Sequence, residues 1–175
     1  PRTAMGGFID KARGRQHLVV TLLSIGLVFT SPWIGMLRRM PRDPGFFDYA
    51  HVWLGSAGFV VGILYAIDCV RKGGWRLNFP LFCGGHAAVV SDLQGLFRGR
   101  LPAAEGGGLL GAIAGFALLA FLAAALTGVA WLLNQGSPEA LDWRSHHAAA
   151  VRVFIVLLVI HVIAVSLHVL DFVRE

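Results

Sequence analysis

Long apolar stretches alternate with short polar segments along the chain. Four stretches stay apolar over about 20 residues or more, the length that an α-helix needs to cross a bilayer; they cover residues 17–37, 51–70, 109–133 and 148–170. We therefore predict four transmembrane helices. Pro32 lies late in the first stretch, and because proline has no backbone N–H, we expect it to kink or end that helix.

A fifth apolar segment, residues 78–90, is too short to cross a membrane and contains Pro80. The overlapping residues 86–100 place five apolar side chains near one helical face: Val89, Val90, Leu93, Leu96 and Phe97. This pattern predicts an amphipathic helix that lies in the membrane interface. The predicted fold is an all-α membrane protein: one domain over residues 1–175, a four-transmembrane-helix bundle with an interfacial helix between the second and third spans.

Composition supports a lipid environment. Of the 175 residues, 56% are apolar and 14% are charged, whereas a soluble domain carries about a quarter charged residues. The net charge of +5 would suggest a nucleic-acid partner for a soluble protein, but here the basic residues flank spans, so we expect membrane lipid and no nucleic acid. Neither cysteine belongs to a CxxC motif, so nothing indicates a c-type haem or a zinc ribbon.

Lysine and arginine indicate the orientation. The N-terminal segment, the second connection and the tail together carry more of them than the first and third connections. Cytoplasmic loops collect these residues, so we expect both termini to be cytoplasmic. Trp33, Trp53 and Trp131 lie near span ends and are expected in the interfacial aromatic belt.

The histidines carry the candidate chemistry. His147 and His161 lie on the fourth span, and 14 helical steps leave them about 40° apart on one face and about 21 Å apart along the axis. His17 begins the first span on the cytoplasmic side, and His51 begins the second on the opposite side. Each can therefore meet one histidine of the fourth span, His51 with His147 and His17 with His161.

Two imidazoles that face each other across a bundle are what a six-coordinate b-type haem needs, since the porphyrin supplies the other four nitrogens. Two such pairs at different depths would carry electrons across the membrane. His168 lies seven residues beyond His161 and could pair with His17 instead. We favour His161, because pairing through His168 would spread the two irons over about 31 Å, the full hydrocarbon thickness.

Other polar residues near the proposed ligands have two possible roles each. His168 could contact a quinone or a haem propionate, or occupy the interface only. Arg144 and Arg13 each lie about one turn before a proposed ligand, so each could hold an anionic propionate or serve as a plain surface anchor. Arg152 faces away from the proposed haem side, where we expect it to snorkel or to pair with another chain.

The motifs around these histidines match a known pattern. They are Gln16-His17-Leu18-Val19, His51-Val52-Trp53-Leu54-Gly55, Thr127-Gly128 and the pair His147 and His161. With four spans they resemble the bacterial di-haem cytochrome b561 family, which is related to the cytochrome b subunits of nickel–iron hydrogenases and formate dehydrogenases. The resemblance implies two haem b groups, a quinone as redox partner and a place in the bacterial inner membrane as part of an electron-transport oxidoreductase.

The chain differs from some stand-alone members of this family in two features, and these concern its electron-donor partner. Residues 106–110 have no histidine, unlike some stand-alone members of the family, and the longer second connection looks more like the dehydrogenase-associated subunits. We therefore expect a periplasmic or membrane-attached dehydrogenase subunit as electron donor. The alternatives are a stand-alone superoxide:quinone oxidoreductase and a haem-free transporter that uses a histidine relay.

Overall fold

The computed structural model of the chain describes residues 4–71, 73–102 and 107–174, with side chains described over 16–71, 73–102 and 107–167. Its helices are α1 (Ala4–Thr30), α2 (Phe46–Arg71), α3 (Trp75–Asn78), α4 (His86–Phe97), α5 (Leu109–Leu133) and α6 (Ala140–Arg174). Four of them, α1, α2, α5 and α6, are long and apolar enough to span a membrane. The prediction of an all-α protein with four spans is confirmed.

The first span ends earlier than predicted. Helix α1 stops at Thr30, and a 3-10 turn follows over Ser31–Trp33 before Ile34 becomes extended. Pro32 lies inside this turn, where its missing N–H cannot continue the α-helical hydrogen bonds. The expectation that Pro32 ends the helix is confirmed, and residues 34–37 belong to the following connection.

The fourth span begins earlier than predicted, at Ala140 and not at residue 148. The extra turns contain polar residues, so hydropathy alone does not mark them as part of the span. They are held by packing, because Ala140 is fully buried in a cluster with Met36 and Trp131. Asp142 lies in the first turn, where a carboxylate favours the positive end of the helix dipole.

Helix α4 confirms the predicted helix between the second and third spans. It covers His86–Phe97, and four of the five apolar side chains of the predicted face are exposed: Val90, Leu93, Leu96 and Phe97. An exposed apolar face suits a membrane surface. The interfacial location of α4 stays a prediction.

The chain divides into two compact units. The first comprises the chain up to Asp68 together with Leu122–Ala150, and the second comprises Cys69–Phe121 together with the chain from Val151 onward. Helices α2, α5 and α6 therefore contribute to both. His17, His51 and His147 belong to the first unit, and His161 belongs to the second.

In the first unit, α1 and α2 approach closely through glycines. A Cβ atom at Gly26 would lie 3.2 Å from Cδ1 of Leu54, and one at Gly55 would lie 3.7 Å from Cδ2 of Leu27. Small residues let membrane helices pack at short range. This close approach brings the end of α1 alongside the start of α2, where His51 lies.

The connection between α1 and α2 folds onto the connection between α5 and α6; we call residues 34–45 and 134–139 the loop cap. Five hydrogen bonds hold it: Arg38 Nε to Ser137 O (3.1 Å), Gly136 N to Arg38 O (3.0 Å), Met40 N to Gln135 Oε1 (2.9 Å), Trp131 Nε1 to Leu37 O (2.9 Å) and Arg144 Nε to Met36 O (3.1 Å). Gly136 has φ 85°, a left-handed conformation that favours glycine.

A buried carboxylate fastens the loop cap to α2. Asp48 is 5% exposed, and its two oxygens accept the backbone N–H groups of Gly35 at 2.8 Å and Gly45 at 2.9 Å. The bond to Gly45 resembles one half of a capping box, in which a side chain in the first turn reaches back to the N-cap. Asp48 therefore holds both ends of the connection one turn before His51.

In the second unit, the segment after α2 packs against α5. The carbonyl oxygen of Asn78 lies so close to Gly115 that a Cβ atom there would clash with it. The Asn78 amide also contacts Cys69 Sγ at 3.5 Å, and Pro80 is fully buried. Asp92 of α4 accepts the backbone N–H of Leu109 at 2.8 Å, which caps the start of α5.

Candidate functional site

Two of the predicted histidines face each other within the first unit. The imidazole rings of His51 on α2 and His147 on α6 have their centres 6.2 Å apart and their planes at 89°. Both side chains are half-buried. The sequence-based prediction paired these two residues, and the structure brings them together.

A hydrogen bond to α5 determines the tautomer of the His147 ring. Its Nδ1 lies 2.8 Å from the carbonyl oxygen of Ala124 on α5. A carbonyl oxygen only accepts hydrogen bonds, so Nδ1 carries the proton in this contact. The lone pair of the neutral ring is then on Nε2, the nitrogen left to bind a metal.

The ring of His51 is held through a hydroxyl group. Its Nδ1 lies 3.0 Å from Oγ1 of Thr30, the last residue of α1. That hydroxyl has one proton, and Oγ1 also lies 2.9 Å from the carbonyl oxygen of Gly26, which only accepts. The arrangement that satisfies both contacts has Thr30 donating to Gly26 and accepting from His51 Nδ1, so Nε2 of His51 is left to bind a metal.

A glycine gives the His147 ring its space. A Cβ atom at Gly128 would lie 3.2 Å from Nδ1 and 3.3 Å from Cε1 of His147. These distances are tighter than ordinary van der Waals contact. The bare backbone of Gly128 therefore forms a cradle for the ring, beside the Ala124 carbonyl that binds it.

The spacing and the donor set fit a b-type haem. An imidazole nitrogen binds a metal ion at about 2.0–2.1 Å, so one metal atom between two imidazoles separates their ring centres by about 6 Å. The observed 6.2 Å agrees with that distance. Because a porphyrin supplies four nitrogens to the iron, two axial histidines complete its coordination.

Arg144 lies three residues before His147 on α6. Its Nε donates to the carbonyl oxygen of Met36 in the loop cap at 3.1 Å, while the side chain as a whole is exposed. The terminal amino groups are therefore left for other acceptors, and a guanidinium pairs well with a carboxylate. Its predicted contact with a haem propionate stays a prediction.

The second predicted pair is divided between the two units. His17 is exposed in the first unit, where its ring centre lies 6.3 Å from that of Tyr65 at an angle of 61°. His161 is half-buried on α6 in the second unit. The pairing of His17 with His161 stays a prediction. The side chains of Arg13 and His168 lie outside the described residues.

The sequence does not predict the residues that hold the two proposed ligands in place. Thr30 and Ala124 hold His51 and His147 across helix contacts, and neither belongs to a pattern that hydropathy or spacing would mark. The expectation that Trp131 lies in an interfacial belt is wrong. Trp131 is 7% exposed, and its indole N–H binds Leu37 of the loop cap. Trp33 and Trp53 are exposed, at 62% and 73%, and their place in the belt stays a prediction.

Comparison with known proteins gives one match. A family model described as prokaryotic cytochrome b561 matches residues 15–171, which includes all four predicted iron ligands. No curated protein and no solved structure matches the chain.

Proposed function

The chain belongs to the prokaryotic cytochrome b561 family, and so is a membrane b-type cytochrome of electron transfer; from this premise we propose that it carries electrons across the bilayer through two haem b groups. The donor is a dehydrogenase subunit on the periplasmic side, and the acceptor is the quinone pool. The observation that carries the proposal is the His51–His147 pair, with ring centres 6.2 Å apart and both Nδ1 atoms engaged in hydrogen bonds.

His51 and His147 are the residues that would hold the outer haem. Each ring is fixed by the contact of its Nδ1, to Thr30 in one case and to Ala124 in the other. Such contacts orient a metal-binding histidine and raise its basicity. Arg144 holds a propionate with the terminal amino groups that its bond to Met36 leaves available.

His17 and His161 are the ligands of the inner haem, and Arg13 holds one of its propionates. The 14-residue spacing on α6 supports this assignment, because it puts His147 and His161 on one face of a continuous helix. His168 then lies beyond the inner ligand, where its imidazole can bind a quinone or a propionate.

A bound haem supplies one-electron chemistry, and the protein sets its potential through ligand identity, burial and hydrogen bonds. The chain itself contributes the four imidazoles, the small residues that make room for the rings and the apolar spans that keep them in lipid. Both termini face the cytoplasm, so the His51–His147 pair lies towards the donor and the His17–His161 pair towards the cytoplasmic surface.

The test is haem quantitation on the purified chain, by pyridine haemochrome, together with reduction of the haems by dithionite. We expect two haem b per chain, both reducible by dithionite, and co-purification with a dehydrogenase subunit from the native membrane. A chain that carries no haem would contradict the proposal. Superoxide:quinone activity in the chain purified alone would replace the partnered form of the proposal by the stand-alone one.

A further inference from the structure

Thr30 is a buried hydroxyl residue at a position that apolar side chains could fill. It is 5% exposed and ends α1, and its Oγ1 lies 3.0 Å from Nδ1 of His51. A buried polar group is costly unless its hydrogen bonds are made. The Thr30 hydroxyl donates one hydrogen bond to a backbone carbonyl oxygen and accepts another from the imidazole of His51.

The backbone of α1 fixes the direction of that hydroxyl. Oγ1 lies 2.9 Å from the carbonyl oxygen of Gly26 and 3.1 Å from that of Leu27. Both are acceptors only, so the hydroxyl proton points into α1 and an oxygen lone pair points away from it, towards His51. The close packing of Gly26 on Leu54 holds the two helices at the distance that this contact needs.

The two histidines thus have different partners. His147 donates to a backbone carbonyl, Ala124, which no side-chain substitution removes. His51 contacts the side-chain hydroxyl of Thr30, which one substitution does remove, and its ring also has a hydrogen bond with the backbone of Leu27. The rings stand at 89° to each other, and the angle of each ring about its bond to a metal is set by the contact of its Nδ1.

We propose that Thr30 is a positioning residue for the outer haem: it holds His51 in the tautomer with Nε2 available, with its ring perpendicular to that of His147. This inference rests on the proposed binding of haem by the two histidines. A hydrogen bond from Nδ1–H to an acceptor raises the basicity of the ligand, and a more basic ligand favours oxidised iron. Loss of the hydroxyl therefore raises the midpoint potential of the outer haem.

The experiment compares Thr30→Val, which keeps the shape of the side chain, with Thr30→Ser, which keeps the hydroxyl. Ser24→Ala is the matched control, because Ser24 is also a buried hydroxyl residue of α1 that donates to the carbonyl oxygen four residues earlier. Each full-length protein is purified with its haem. Haem per chain, the two midpoint potentials and the EPR spectrum of the oxidised low-spin haems are measured, since that spectrum depends on the angle between the axial imidazole planes.

We expect Thr30→Val to raise one midpoint potential and to alter the EPR signal of that haem alone, while Thr30→Ser and Ser24→Ala match the wild type. Loss of one haem from Thr30→Val with retention in Thr30→Ser also supports the proposal. Unchanged potentials and EPR spectrum in Thr30→Val, or the same losses in Thr30→Ser, would overturn it. A wild-type chain without haem would instead overturn the proposed function.

Discussion

The imidazole Nδ1 of His147 donates a hydrogen bond to the carbonyl oxygen of Ala124, 2.8 Å away on α5. Because this acceptor belongs to the backbone of a second helix, the ring orientation depends on how α5 packs against α6. The glycine four residues after Ala124 leaves the space that the ring occupies. The proposed ligand and the residues that hold its ring therefore come from different segments of the chain.

A side chain at position 128 should displace His147, the proposed ligand. Gly128→Val would place side-chain atoms into the space of the His147 ring, where even a Cβ atom lies at 3.2–3.3 Å. We expect one of the two haems to be lost while the other remains, as measured by pyridine haemochrome. Gly55→Ala is the control, because its Cβ atom meets Leu27 at an ordinary 3.7 Å; haem loss in the control as well would argue for a general packing defect.

Two variants test which histidine of α6 is the proposed inner ligand. His161→Ala should lose one haem, because its imidazole is the proposed axial ligand, whereas His168→Ala should keep both. Haem per chain and the optical spectrum of the reduced protein are the measurements. The opposite pattern, with haem lost only from His168→Ala, would move the inner ligand by seven residues along the helix.

Asp48→Asn should destabilise the loop cap. An amide offers one oxygen where the carboxylate accepts from both Gly35 and Gly45, so one of these two N–H groups loses its hydrogen bond to a charged acceptor. The free energy of unfolding should fall by about 1–3 kcal/mol, and the fall is measured as a lower thermal midpoint of the purified protein. Asp43→Asn, at an exposed position of the same connection, should leave the midpoint unchanged, and equal shifts in both variants would contradict the assigned role.

Gly115→Ala should destabilise the second unit. The added Cβ atom would clash with the backbone carbonyl of Asn78 and lie 3.0 Å from the Phe79 ring, and backbone cannot move aside as a flexible side chain can. Overpacking of this kind lowers stability by about 1–3 kcal/mol. Gly95→Ala on α4 meets only ordinary contacts at 3.7–3.8 Å and should not lower the thermal midpoint; no loss of stability in Gly115→Ala would contradict the packing described.

The proposed orientation, with both termini in the cytoplasm, predicts which connections face the periplasm. Two exposed positions serve as labelling sites in a Cys83→Ser background: Glu139→Cys between α5 and α6, and Gln94→Cys on α4. The remaining Cys69 is buried. A membrane-impermeant maleimide should label Glu139→Cys in intact cells and Gln94→Cys only after the membrane is opened. The reverse result would invert the proposed direction of electron flow.

Hydropathy and histidine spacing together predict most of the fold and the proposed ligands. Four spans follow from the length of the apolar stretches, the end of α1 follows from Pro32, and the meeting of His51 with His147 follows from their matched depths. Hydropathy does not predict where α6 begins, because Ala140 is held by burial against Trp131 and Met36. This is a contact between segments that are distant in the sequence. The sequence does not predict the burial of Trp131 for the same reason, since its indole N–H binds a backbone carbonyl more than 90 residues away.

Haem count in three variants tests the central claim, that His51 and His147 bind one and the same iron. Wild type, His51→Ala, His147→Ala and the double variant are purified side by side, and haem per chain is measured by pyridine haemochrome. We predict two haems in the wild type and one in each variant, the double variant included, with the same spectral component missing each time. A double variant with fewer haems than either single one, or single variants that keep both, would contradict it.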